Sequence, residues 1–182
     1  MGRTYDGISP ELAAFLTTQP VFFVGTAPRA GDGHINVSPK GLAGSFSVVD
    51  PATVAYLDLT GSGIETVAHL RENGRIVLMF CAFDAAPRIV RLHGTGSVLG
   101  PGDPDFAPLA AGFPDRPGVR SIIRVAVTRV SDSCGFGVPV MRYEADREKL
   151  PKWATAKGPE SLAEYQAEKN ARSIDGLPGI PE

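Results

Sequence analysis

The sequence predicts a small, closed or half-closed antiparallel β-barrel with helices, a mainly β fold of the α+β class, and three observations predict it. Six or seven β-patterned runs fall between residues 21 and 130. One amphipathic helix is set between two of them, where a doubly wound sheet would place a helix after each strand. The chain also carries 21 Gly and 16 Pro, enough for frequent turns yet below the level at which a non-periodic chain reads as low-complexity. At 182 residues one domain with a sizeable core is expected.

The elements follow in order. Ser9-Pro10-Glu11 opens a helix through about Thr17, with Ser9 as N-cap, Pro10 at the first helical position and Leu12, Phe15 and Leu16 as an apolar stripe. Val21 to Thr26, the turn Gly31-Asp32-Gly33 and the extended run His34 to Val37 predict a hairpin. Gly44 to Val49 and Thr53 to Leu59 are two further strands, divided at Asp50-Pro51. From Gly63 to Asn73 the period is helical, with Ile64, Val67, Ala68 and Arg71 on one face and Asn73-Gly74 as the stop. His69 falls outside that face and is expected to be exposed.

Ile76 to Phe83 is apolar on both faces, as in a strand covered on both sides. Arg88 to Val98 sets Val90, Leu92 and Val98 against Arg91, His93, Thr95 and Ser97. A short helix starts at Asp103-Pro104, with Pro108 expected to disturb or end it. Ser121 to Val130 alternates Ile123, Val125 and Val127 with Ile122, Arg124, Ala126 and Thr128. The chain is therefore divided into a barrel domain, 1–142, and a charge-balanced helical tail, 143–182. Two tail helices, about Arg147 to Ala156 and Pro159 to Ala171, are expected to anchor through Leu150, Trp153, Leu162 and Tyr165 on the barrel or a partner.

Composition narrows the function. With 18 Lys+Arg against 20 Asp+Glu, a net charge of -2 and 43% hydrophobic residues, neither a disordered polyanion nor a strongly basic nucleic-acid binder fits. Cys81 and Cys134 build no disulfide framework, and with His34, His69 and His93 they make no close-spaced metal set. The longest apolar run, Ile76 to Phe83, is too short to cross a bilayer, and residues 1–30 carry no cleavable signal pattern. The expectation is a soluble, cytoplasmic protein with no nucleic-acid or membrane partner.

The candidates for chemistry are groups able to hold an anion near turns. Asn36-Val37-Ser38-Pro39-Lys40-Gly41 ends a strand in a proline-restricted turn with a lysine that either reaches an anion or is simply solvated. Asp58-Leu59-Thr60-Gly61-Ser62-Gly63-Ile64-Glu65-Thr66 runs from a strand into a helix start. Its free N–H groups and the Ser62 and Thr66 hydroxyls can cradle a phosphate, or Ser62 and Glu65 can form a capping box that satisfies the helix itself. Arg88 and Arg91 are candidate phosphate cations or surface arginines. Cys134, in the turn Ser133-Cys134-Gly135-Phe136-Gly137-Val138-Pro139, has no cationic neighbour in sequence and is expected to be packed and inert.

In order and spacing these segments resemble the pyridoxamine 5'-phosphate oxidase-like family of FMN-binding split-barrel flavoproteins. Beside the lysine turn and the glycine turn, the resemblance is carried by Glu72-Asn73-Gly74-Arg75-Ile76-Val77-Leu78-Met79-Phe80 and Arg88-Ile89-Val90-Arg91-Leu92-His93-Gly94. The tail motif Asn170-Ala171-Arg172-Ser173-Ile174-Asp175-Gly176 points to a subgroup of it. The resemblance implies an antiparallel split barrel and a homodimer with FMN at the subunit interface. It matches Lys40 to the family's strand-end lysine, Asn36, Val37, Ser38 and Pro39 to the flavin-lining backbone, and Thr60 to the threonine before the phosphate loop. Glu65-Thr66 stands where pyridoxamine-phosphate oxidases carry an Arg-Lys pair, and Ile89 where they carry a glutamine. Both departures argue against vitamin B6 oxidation.

The implied activity is FMN-dependent hydride exchange with a small substrate or nicotinamide. Asn36, Val37, Ser38, Pro39, Lys40, Thr60, Ser62, Thr66, Arg88 and Arg91 are the expected cofactor-binding residues. The alternatives are the deazaflavin F420 as cofactor, or a non-catalytic flavin or haem module for which His93 and Cys134 are the candidate axial ligands.

Overall fold

Ser9 begins the first helix as its sequence requires: the Ser9 side chain accepts from Leu12 N at 3.2 Å, and α1 runs over Pro10–Thr18. The computed structural model describes residues 2–84 and 86–180. Its strands are β1 (Thr4–Tyr5), β2 (Val21–Thr26), β3 (Asn36–Gly41), β4 (Phe46–Asp50), β5 (Thr53–Leu59), β6 (Arg75–Cys81), β7 (Ile89–Leu99) and β8 (Val119–Ser133). Helix α2 (Glu65–Asn73) lies between β5 and β6, α3 (Phe106–Ala110) between β7 and β8, and α4 (Lys149–Lys169) follows them. All pairings are antiparallel, in the order β3-β2-β6-β7-β8-β5-β4, with β1 added to β8.

The two ends of this path curl toward each other. Phe22 on β2 meets Phe46 on β4 at 5.4 Å between ring centroids, and Ser45 Oγ donates to Gly41 O at 2.8 Å. The enclosed face holds Phe22, Phe46, Tyr56 and Phe80, with Leu12 and Leu16 from α1 and Ile64, Val67 and Leu70 from the α2 segment in the same cluster. A second cluster, Ala55, Leu57, Leu99 and Ile122, lies under α3 with Phe106, Leu109 and Phe113. The result is a curled antiparallel half-barrel with four helices.

Several expectations are corrected by this packing. The hairpin's second strand does not end before Pro39, because β3 is an edge strand paired only with β2 and a missing N–H costs nothing on the open side. Ile122 and Ile123 are both fully buried, so β8 does not alternate there: each face has its own core. His69 is fully buried, because α2 is inserted into the barrel and buries five successive residues, Thr66 to Leu70. Arg71, placed on one face with Ile64, Val67 and Ala68, is exposed and donates to Gly179 O. Cys134 is exposed, not packed.

Two glycines carry conformational demands. Gly74 closes α2 in the left-handed region at φ 71° and donates to Leu70 O at 3.0 Å. Gly94 sits at the β7–β8 register shift, where a Cβ would lie 2.2 Å from Ala126 O. The tail is two helical pieces, as expected, divided at Gly158 with φ 73° and ψ 168°. Leu162 and Ala154 are buried and Trp153 packs on Tyr165 at 5.2 Å, whereas the expected anchor Leu150 is 37% exposed.

Phe80 is fully buried and contacts the rings of both Phe22 and Phe46. Phe80→Ala is expected to cost about 3–5 kcal/mol, measured by denaturant unfolding; a loss below about 1 kcal/mol would show that this cluster does not hold the barrel together.

Candidate functional site

Alternation along β3 divides the lysine segment between two faces. Asn36, Ser38 and Lys40 are in register with Thr26, Val24 and Phe22, whose side chains are buried inside the barrel. Val37, 66% exposed, and Pro39 belong to the outer face. The backbone of this string therefore forms one rim of the barrel mouth.

The opposite rim is the end of β5, where Asp58 is fully buried. Its carboxylate accepts from Lys40 Nζ at 3.3 Å, Arg120 Nε at 2.7 Å, Arg120 Nη2 at 3.4 Å and Ser121 Oγ at 3.1 Å. Burial by itself pushes the Asp58 carboxyl up, but the Lys40 and Arg120 charges and their hydrogen bonds carry it below the ordinary carboxylate value. Two cations around one anion leave this ion set with one positive charge in excess, which the Glu65 carboxylate at the start of α2 offsets across the mouth.

The glycine turn rests on this ion set. Arg120, itself buried, donates through Nη1 to Asn170 Oδ1 at 2.9 Å and to Gly61 O at 3.4 Å. Asn170 Nδ2 donates to Gly61 O at 2.9 Å, and Gln166 Nε2 donates to Thr60 Oγ1 at 2.8 Å, whose hydroxyl donates to Gly118 O at 2.8 Å. Of the two readings of this turn, the capping box is not formed. α2 starts at Glu65 with Ile64 as N-cap and no side-chain cap bond, because Glu65 Oε1 instead accepts from Ile174 N at 3.3 Å. Ser62 and Gly63 are exposed, and a Cβ on Gly61 would meet no atom within 4 Å.

A second polar chain crosses the mouth. Asn36 Nδ2 donates to Thr66 Oγ1 at 3.0 Å and Thr26 Oγ1 at 3.1 Å, while Ser38 Oγ donates to Asn36 Oδ1 at 3.0 Å. Thr26 Oγ1 also meets His69 Nδ1 at 2.9 Å, leaving the buried Nε2 without a partner among the described residues. Burial holds the His69 pKa below its ordinary value, against the pull of Asp175, Glu65 and Glu72.

The other two cations lie elsewhere. Arg88 donates to Tyr5 Oη at 3.1 Å and Asp132 Oδ2 at 3.3 Å, over the Phe15 ring. Arg91 is on the outer face, in the cross-strand row Pro39–Phe23–Met79–Arg91, and donates to Ser133 Oγ at 3.1 Å. Thus Lys40, Thr60, Ser62, Thr66, Asn36 and Ser38 are brought to one mouth, whereas Arg88 and Arg91 are not.

Asp58, Arg120, Gln166 and Asn170 complete the mouth and were not among the expected residues. The readable signal was Asp58 itself: a carboxylate between the apolar run Val54-Ala55-Tyr56-Leu57 and Leu59 requires a buried partner. His93, exposed on β7, has its pKa lowered by partial desolvation beside the sheet and by Arg129 and Arg91, and the exposed Cys134 lies just beyond β8. A groove of about 710 Å³ lined by Val49, Thr53, Thr95, Ser97, Leu109 and Arg124 contains none of the expected residues. Among the described residues no group of three His, Cys, Asp or Glu side chains is placed to hold a metal, and no helix is long and apolar enough to cross a membrane.

A curled antiparallel half-barrel whose mouth is framed by a strand-end lysine and a glycine turn defines a split-barrel protein. Residues 8–134 match the family model for pyridoxamine 5'-phosphate oxidase. The chain is 45% identical over 194 residues to the pyridoxamine 5'-phosphate oxidase family protein ustO of Aspergillus flavus, an alignment covering 97% of this chain and 77% of that protein. The chain belongs to the pyridoxamine 5'-phosphate oxidase family. Among solved structures, HupZ of Group A Streptococcus matches with a TM-score of 0.52 at 25% identity, over 68% of this chain and 91% of that one. A FAD-binding protein of Mesorhizobium loti shares the fold with a TM-score of 0.50 at 17% identity, over 72% of this chain and 96% of that one.

Asp58→Asn removes the anion that two cations share and is expected to destabilise the fold by about 3–5 kcal/mol, read by chemical denaturation; a change under about 1 kcal/mol would mean that the ion set does not support the mouth. His69 binds its proton more readily in the unfolded chain, so its contribution to stability is complete above its unfolded value of about 6.5 and is lost as pH falls below it. His34, whose pKa is raised by its hydrogen bond to and the charge of Asp175, works in the opposite sense. Subtracting the stability of His69→Gln from that of the wild type at each pH isolates the first effect; a difference independent of pH would contradict the buried neutral imidazole.

Proposed function

We propose that this protein is an FMN-dependent oxidoreductase, with the phosphate of the flavin held at the barrel mouth. The observation that carries the reading is that mouth: an uncapped α2 start and an open glycine turn beside an ion set with one positive charge in excess, in a chain of this family. The residues fit the group. Ser62 offers a hydroxyl and α2 its first free N–H groups, and Glu65, which would repel a phosphate, is partly engaged by Ile174 N. The rim from Asn36 to Lys40 offers backbone to a flat ring.

Bound flavin would supply hydride exchange at its N5 with a small substrate or a nicotinamide. The chain's share is binding and electrostatics. Lys40 and Arg120 outweigh the buried Asp58, Thr66 and Asn36 fix each other across the mouth, and Gln166 holds Thr60. Glu65-Thr66 and Ile89, in place of an Arg-Lys pair and a glutamine, speak against vitamin B6 oxidation. A homodimer gives the outer face its role: Val37, Pro39, Phe23 and Met79 present an apolar strip that ends in Arg91, so a second copy would cover the strip and bring Arg91 to the interfacial cofactor. The M. loti relative is described as FAD-binding, which supports a flavin in this fold.

Protein purified from a flavin-replete host is expected to be yellow and to release FMN on denaturation; colourless protein that binds no added FMN contradicts the proposal. Rapid reduction of the bound flavin by NAD(P)H, with turnover by an acceptor, is the expected enzymatic signature, and a flavin reduced by no nicotinamide or substrate would indicate a non-catalytic module. Arg91→Ala is expected to weaken FMN binding by about 10- to 100-fold, the equivalent of a charge-assisted hydrogen bond. Val37→Arg is expected to yield monomers by light scattering; an unchanged Kd or an unchanged mass, respectively, would remove Arg91 or the strip from the interface.

A further inference from the structure

We infer that Asn170, on the tail beyond the residues that match the family model, is a positioning residue that aims the amides of the glycine turn at the phosphate of a bound ligand; this rests on the reading of the mouth given above. Asn170 is fully buried. Its Nδ2 donates to Gly61 O at 2.9 Å and Ser62 O at 3.4 Å, and its Oδ1 accepts from Arg120 Nη1 at 2.9 Å. Each of those two carbonyls belongs to a planar trans peptide, whose N–H points opposite to its C=O. Drawing the carbonyls of Gly61 and Ser62 inward therefore turns the N–H groups of Ser62 and Gly63 outward. Both residues are exposed, and neither N–H has a partner among the described residues.

The chemistry selects an amide at this position. A carboxylate would accept from Arg120 but repel both carbonyls, and an apolar side chain would do neither. The side chain is held from both ends. Asn170 N donates to Gln166 O at 2.8 Å at the close of α4, and Asn170 O accepts from Ile180 N at 2.9 Å. A Cβ on Gly179 would come within 2.1 Å of that carbonyl, so the returning segment of the tail packs on Asn170 with no room for a side chain. The motif from Asn170 to Gly176 thus has a role: its first residue is locked under the turn by the loop that follows.

The inference is tested on the full chain with Asn170→Asp, which keeps shape and the Arg120 contact, and Asn170→Ala. FMN and riboflavin, which differ only in the phosphate, are titrated by flavin-fluorescence quenching. The expected result is that both variants lose about tenfold or more of the preference for FMN over riboflavin while the riboflavin Kd stays within about twofold. Equal weakening of both ligands, which a merely structural role would produce, overturns the inference, as does an intact preference. If the wild type binds neither flavin, the proposed function fails and inorganic phosphate reads the inference alone. Phosphate should then shift the amide NMR resonances of Ser62 and Gly63 in the wild type and not in Asn170→Asp; unshifted wild-type amides, or equal shifts in both proteins, would overturn it. If Asn170→Ala does not fold, the isosteric Asn170→Asp carries both comparisons.

Discussion

A carboxylate without solvent has to be surrounded, and the arrangement of this mouth follows from that requirement at Asp58. Burying a lone charge is costly enough that it persists only where opposite charge and hydrogen bonds replace water. Four donor groups meet it: Lys40 from the edge strand β3, the Nε and Nη2 of Arg120 from β8, and Ser121 beside it. Arg120 in turn recruits Asn170 from the tail and, with it, the Gly61 carbonyl. A single buried charge thus ties together an edge strand, the centre of the sheet, the turn before α2 and the end of the chain.

This tie also explains why charge is present at the mouth without being free. Lys40 does not project as an isolated cation; it shares Asp58 with Arg120, so this three-residue set carries an excess of one positive charge held in fixed geometry. Fixed charge in a partly dry site interacts more strongly with an incoming anion than the same charge on a mobile surface side chain. The tail contributes on the same terms, since Gln166, Asn170 and Ile174 each replace a bond that solvent or a helix cap would otherwise make.

Local rules made much of the fold legible. α1 was readable from the Ser9 cap and Pro10, while β2 and β5 were bounded by proline and glycine and agree to the residue. The break in the tail at Gly158 was readable for the same reason. What local rules could not supply was the effect of closure. Pro39 looks like a strand end until β3 is known to be an edge, and His69 looks like a solvent position until α2 is known to be inserted into the barrel. The two-residue β1 had no pattern long enough to see. At the site, the lysine and glycine segments stood out because proline, glycine and hydroxyl residues mark unusual backbone. Arg120 and Asn170 did not, because their meaning comes from partners 62 and 109 residues away in the chain.

Whether the Asp58-centred mouth receives the phosphate of a flavin is tested most directly by a crystal structure of the protein grown with FMN. The expectation is phosphate density within hydrogen-bond reach of the Ser62 and Gly63 amides, with Asn170 still holding the carbonyls of Gly61 and Ser62. Flavin bound instead in the groove under α3, or with its phosphate away from the Gly61–Gly63 turn, would contradict it.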